Sequence, residues 1–262
     1  MTATTMTVAA AGHTRPRRRM TARGFRALIS MQAKLVRREP GAAVMVLLPV
    51  LLLVIFGLIP GTKKPQADLD GRSVLDVYVP TFAAMVPLMI ACTGLPSAMA
   101  SFRERNALRR FKVSPVPPDG MLAALVLVMS ALAVIGVAIV LVLGFAVFGA
   151  HRPANLGAVV SSFALGFTAV IAVGMIAAAV ATTAGMANGI GMPFMFLNFF
   201  FSGLYVPIAE LPHTFQVIGD YVPFGAVMDS WSGQGVLWQH LAVLAGYTVL
   251  GSLVSAKLFR WE

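Results

Sequence analysis

Six apolar stretches alternate with short polar segments along the 262-residue chain, at about residues 41–59, 77–100, 121–148, 157–182, 187–206 and 237–259. A bilayer core about 30 Å thick, divided by a helical rise of 1.5 Å, asks for about 20 apolar residues per span. Each stretch meets or approaches that length. The pattern predicts an all-α integral membrane fold with six transmembrane helices. The fourth and fifth stretches are parted only by Thr183-Ala184-Gly185-Met186, so a five-span layout with one long helix there is the alternative.

The polar segments have patterns of their own. Over Arg23–Arg38 the apolar residues Phe25, Leu28, Ile29, Leu35 and Val36 form one stripe, with Arg23, Arg26, Ser30, Lys34 and Arg37 largely off it. This periodicity predicts an N-terminal interfacial amphipathic helix over 21–40, lying in the headgroup plane. Residues 1–20, rich in Thr, Ala and Arg, read as a disordered basic tail, and 41–262 as the six-span transmembrane domain. Between the second and third spans, Ser101–Pro118 is a basic island. If Phe102–Lys112 is helical, Phe102, Leu108 and Phe111 share an apolar side opposite the arginines, and Pro115, Pro117 and Pro118 turn the chain back. The stretch 207–236 contains no Lys or Arg. It is too polar to span and too apolar for a solvated loop. It reads as an extracellular re-entrant helical hairpin between spans five and six, broken at Pro207, Pro212 and Pro223. Such backbone is tolerated at membrane depth only against protein.

Composition sharpens this picture. The chain is 58% hydrophobic and 11% charged, against about a quarter charged in soluble domains. Its net charge of +10 does not read as nucleic-acid binding, because the cations sit beside apolar spans. With the N-terminus inside, sixteen of the twenty Lys and Arg fall on inner segments and only Lys63, Lys64, Arg72 and Arg152 on outer ones. That bias predicts a multi-pass protein of the plasma (inner) membrane with both termini cytoplasmic. Some forty residues, many of them Arg, precede the first apolar run, unlike a secretory signal peptide.

Candidate chemistry is sparse. Cys92 is the single cysteine, and the four histidines form no metal-ligand pair at helical spacing; no metal site and no catalytic residue is expected. None of the five lysines lies in a phosphate-binding G-x-x-x-x-G-K-[ST] loop, so the chain is not expected to hydrolyse ATP or to be an enzyme. No Asp, Glu, Lys or Arg occurs between Pro153 and Ala209, nor in 121–150. Ion-coupled carriers place an ionisable group at mid-membrane despite its cost. An ion-coupled secondary drug or solute transporter is therefore the alternative reading, not the leading one. Asp76 and Asp119 fall at span ends, within reach of water.

Arg103-Glu104-Arg105-Asn106-Ala107-Leu108-Arg109-Arg110-Phe111, followed by Ser114-Pro115, resembles the Arg-Glu-x-Gly-Thr-Leu-Arg-Arg-Leu…Pro segment of type 2 ABC transporter permeases, daunorubicin-resistance-like exporter membrane subunits among them. Ser202-Gly203-Leu204-Tyr205-Val206-Pro207, running through Glu210 and Pro212 to Pro223, resembles that family's signature entering its re-entrant hairpin. The six-span layout behind an interfacial helix matches as well. Asn106-Ala107 stands where the family has Gly-Thr. The resemblance implies a permease that exports a drug, lipid or glycan from the cytoplasm or inner leaflet. It implies a partner too: a separately encoded ABC ATPase that binds ATP and magnesium, the permease holding no cofactor itself. The island then becomes a cytoplasmic coupling helix whose Arg103, Glu104, Arg105, Leu108, Arg110 and Phe111 meet the ATPase. A homodimer or a heterodimer with a second permease is implied. Asn198, Phe199, Phe200 and Phe201 are candidates for the substrate path.

Overall fold

The computed structural model describes residues 21–66, 71–104, 118–153, 155–205, 211–233 and 235–259. Among them the chain is helical, without a strand. The helices, in chain order, are α1 (Ala22–Arg38), α2 (Pro40–Leu58), α3 (Val74–Glu104), α4 (Pro118–Val142, widened at its end over Leu143–Val147), α5 (Leu156–Val180), α6 (Ala184–Phe201), α7 (His213–Tyr221), α8 (Pro223–Ser232) and α9 (Leu237–Leu258). Six of these, α2 to α6 and α9, are long and apolar enough to cross a membrane. Many of their large apolar side chains point outward, such as Leu47, Val142 and Leu250. A soluble protein could not leave such a surface in water.

The division between the fourth and fifth spans is made by local chemistry. Ala181 adopts an extended conformation that ends α5, and the Thr183 side chain accepts the Met186 N–H at 3.1 Å to start α6. Three residues suffice for the reversal, so the six-helix layout holds and the five-span alternative does not. The fifth span is shorter than the apolar run suggests. Gly203, at φ +77°, supplies the left-handed residue after Ser202, and the Leu204 N–H closes back on the Phe199 carbonyl. The helix thus stops at Phe201 rather than near Val206.

α1 buries Leu28, Gln32 and Val36, one residue per turn, against α4 and α2. The sequence stripe is therefore split: Leu35 points away from the bundle and Gln32 takes a place inside it.

α3 is the axis of the fold, buried along most of its length. It carries Pro80 and Pro87 and, past them, Pro96. At Ile90–Gly94 the helix widens, so that the Leu95 N–H reaches the Ile90 carbonyl five residues back. Pro96 has no N–H to offer, which leaves a carbonyl one turn earlier without a helical partner. The carbonyls of Ala91 and Cys92 instead point straight at Gly174 of α5 and Gly191 of α6, where a Cβ would collide with them. Glycines at these two positions let three backbones meet, with Cα–H···O contacts taking part of the missing hydrogen bonding. α9 packs along α5, Gly251 lying against Ala172.

Candidate functional site

The helix ends sort into two sets. One end of the bundle gathers the ends of α3, α5 and α9 with the starts of α4 and α6. The other gathers the loop between α2 and α3, the end of α4, and the pair α7–α8.

At the first end, α3 runs on through Phe102, Arg103 and Glu104 as a continuous helix. These residues close a span helix and do not begin a separate one. Arg103 Nη1 donates to the carbonyls of Ala178 (2.5 Å) and Ala181 (2.6 Å), the last turn and cap of α5. Its guanidinium lies 5.3 Å from the ring centre of Phe259, just past α9. Glu104 Oε1 accepts the Ala184 N–H at 2.9 Å, at the first residue of α6. A cation thus meets the negative end of one helix dipole and an anion meets the positive end of the next. Just inside, Ala100, Ala181 and Ala187 form a small buried cluster, and Ser97 Oγ donates to Asn188 Oδ1 at 2.8 Å. The other coupling residues expected from sequence, Arg105, Leu108, Arg110 and Phe111, lie outside the described residues.

At the opposite end, Pro212 caps α7 and Pro223 occupies the first position of α8, where a missing N–H costs nothing. α8 is buried from Pro223 through Ser230, while α7 exposes Phe215, Val217, Ile218 and Tyr221. The two short helices meet so tightly that a Cβ on Gly225 would strike the Gly219 carbonyl. Asn198, fully buried, fastens this pair to α6: its Nδ2 donates to the Phe194 carbonyl at 2.9 Å and its Oδ1 accepts the Phe224 N–H at 3.2 Å. Ser202 Oγ donates to the Phe199 carbonyl, and the Ser202 carbonyl accepts from Thr81 Oγ1 of α3. Pro207 and Glu210 lie outside the described residues. Of the substrate-path candidates, Asn198, Phe199 and Phe201 are buried and Phe200 is half-buried. Asn198 has its amide engaged at both ends by backbone.

Two carboxylates here escaped the sequence reading. Asp76 is not left to water. Its Oδ2 accepts the Ser73 N–H, completing a capping box on α3, and its Oδ1 accepts the His151 N–H at 2.6 Å, with the imidazole Nδ1 3.1 Å from Oδ2. The partners lie 75 residues apart, so no local motif announces them. Asp229, buried on α8, has its carboxyl pushed up to about 7 by burial and, beyond that, by a hydrogen bond and like charge from Asp220 of α7. An i, i+9 pair across a helix break gives no periodic signal in sequence.

A bundle of six membrane-length helices with an outward apolar surface and buried polar ties at both ends defines a multi-pass membrane protein. Residues 23–233 match the ABC-2 type transporter family, and the chain belongs to it. It is the membrane permease domain of such a transporter, a transport unit that is not catalytic by itself. No curated protein matches the chain.

Proposed function

We propose that this chain is the membrane-spanning permease subunit of an ATP-driven ABC exporter, moving a hydrophobic or amphipathic substrate such as a drug, lipid or glycan out of the cytoplasm or inner leaflet. The observation that carries the reading is the family match over 23–233 in a sequence with no phosphate-binding loop of its own. The energy then comes from a separate ABC ATPase, the kind of subunit with which this family works. Two ATPases and two permeases, alike or different, form the working unit. ATP binding draws the ATPases together, the basic island 101–118 moves with them, and the spans rearrange between inward- and outward-open states. A ligand biases that equilibrium only by its difference in affinity for the two states.

The distribution of cations supports placing the island, the end of α3 and both termini in the cytoplasm. α1, with Arg37 and Arg38 in its last turn, then lies along the inner headgroups. α7 and α8 form a re-entrant hairpin in the outer leaflet: a buried α8 packed on protein beneath an α7 that shows Phe215, Val217 and Ile218 to lipid. Of the substrate-path candidates, Phe200 keeps the most open position. The daunorubicin-permease resemblance favours an amphipathic cargo.

Affinity purification of the tagged chain from its native membrane tests the reading. A co-eluting ATP-binding-cassette protein with vanadate-sensitive ATP hydrolysis supports it; a chain that elutes with no ATPase contradicts it. The ion-coupled carrier reading has one observation in its favour, the buried Asp229, whose carboxyl is pushed up to about 7 by burial and by its neighbour Asp220. Transport that survives ATP depletion and stops with an uncoupler would establish that reading instead.

A further inference from the structure

We infer that Arg103 and Glu104 are positioning residues forming a clasp that carries movement of the island directly into α5 and α6, and that Glu104 is not an ATPase contact. The inference rests on the permease reading above.

The two residues are adjacent in sequence, opposite in charge and divergent in target. Arg103 holds the end of α5 through the carbonyls of Ala178 and Ala181; Glu104 holds the start of α6 through the Ala184 N–H. The reversal between those helices is only Ala181, Thr182 and Thr183. Its own hydroxyl cap, Thr183 Oγ1, serves Met186, and the Thr183 carbonyl takes the Ala187 N–H. The Ala184 N–H is therefore an orphan of the helix start, and the carboxylate that fills it comes from 80 residues away. A helix end completed from another helix moves with that helix.

The α3–α6 contact continues for about three turns of α3 above the clasp. Cys92 meets Gly191, Ser97 meets Asn188 and Glu104 meets Ala184 in an antiparallel register, with Ala100 and Ala187 sharing one small buried cluster. Arg103 adds α5 and, through the ring of Phe259, the end of α9. Residues 101–104 of the island are the last turn of α3, so the clasp lies within the island itself. The clasp offers a path of contiguous contacts from there into α5 and α6.

The test uses the complex of the full chain with its co-purified ATPase, Cys92 replaced by Ala, and nitroxide labels at Thr182→Cys on the turn and Leu51→Cys on α2. Both label positions are exposed. Electron-electron distance measurements are taken without nucleotide and with ATP and vanadate, alongside ATPase co-elution and ATP hydrolysis. In the parent complex ATP shifts the distance distribution. Glu104→Ala and Arg103→Gln should retain the ATPase and hydrolyse ATP, while the shifted population falls about fivefold or more, the lower range of allosteric coupling. Glu104→Gln, whose amide oxygen still accepts the Ala184 N–H, should fall between. Thr183→Ala weakens the same helix start without touching the clasp and should shift like the parent, which separates transmission from mere stability.

A full shift in both Glu104→Ala and Glu104→Gln overturns the inference, as does a parent complex whose turn does not respond to ATP. Loss of ATPase co-elution in Glu104→Ala, with the protein still folded, would return Glu104 to the docking surface. If the unmutated chain binds no ATPase at all, it is the permease reading that fails.

Discussion

Replacing Gly191 by Ala adds a single methyl group, and the structure states where it goes. The new Cβ would lie against the Cys92 carbonyl, more than an ångström inside the 3.0 Å that real Cβ contacts respect. The obstacle is backbone at the widened turn of α3, not the tip of a flexible side chain, so α3 and α6 must part. Overpacking of this kind costs about 1–3 kcal/mol. Parting also weakens the Cα–H···O contact, about 0.5–1 kcal/mol, and strains the Ser97–Asn188 bridge a turn away. Against this stands the better helix propensity of Ala, up to about 1 kcal/mol. The net loss is about 1–3 kcal/mol. Gly189, on the same helix with nothing within 4 Å of its would-be Cβ, is the control: Gly189→Ala should be neutral or slightly stabilising. Thermal unfolding of the two variants in the same detergent, followed by loss of the monodisperse peak, compares them directly. Equal midpoints for the two would refute the close backbone contact and the account of the widened turn with it.

Other outcomes follow from the same geometry. Asn198→Ala leaves the Phe224 N–H at the start of α8 without its acceptor and should cost about 1–3 kcal/mol in thermal unfolding; a change in substrate preference with unaltered stability would instead restore Asn198 to the substrate path. Asp229 is protonated in the folded chain up to about 7, against an ordinary 3.8, so the folded state binds a proton that the unfolded chain releases. Its contribution is complete below about pH 4 and is lost as pH rises through 7; the midpoint should fall over that range more steeply in the parent than in Asp229→Asn. Ser73→Ala removes the capping box of α3 and should lower stability by about 1 kcal/mol, read from the same unfolding curves.

The spans were legible because hydrocarbon imposes a length that few other structures need, and the runs from Gly41 and from Leu237 match their helices to within a residue or so. The break at Ala181–Thr183 was visible only faintly, since a threonine cap among alanines barely changes the hydropathy. The polar ties were not legible. Arg103 and Glu104 read as the surface of a cytoplasmic helix, yet α3 continues through them and their partners are 75 to 80 residues away. Asn198 in a phenylalanine run suggested a path for cargo; the backbone groups its amide engages, at Phe194 and Phe224, left no trace in the sequence pattern. Glycines 174 and 191 showed no motif, because the feature that demands them, a pair of carbonyls beside Pro96, belongs to another helix.

The most direct test of a permease driven through its basic island is the accessibility of that island. Cys92 is 1% exposed, so a cysteine introduced at Arg109 is the reactive thiol for a membrane-impermeant maleimide. On intact cells it should remain unlabelled. In inside-out vesicles it should label when the ATPase has been stripped and be protected when the ATPase is bound. Labelling from the outside of intact cells, or labelling indifferent to the ATPase, would contradict the account.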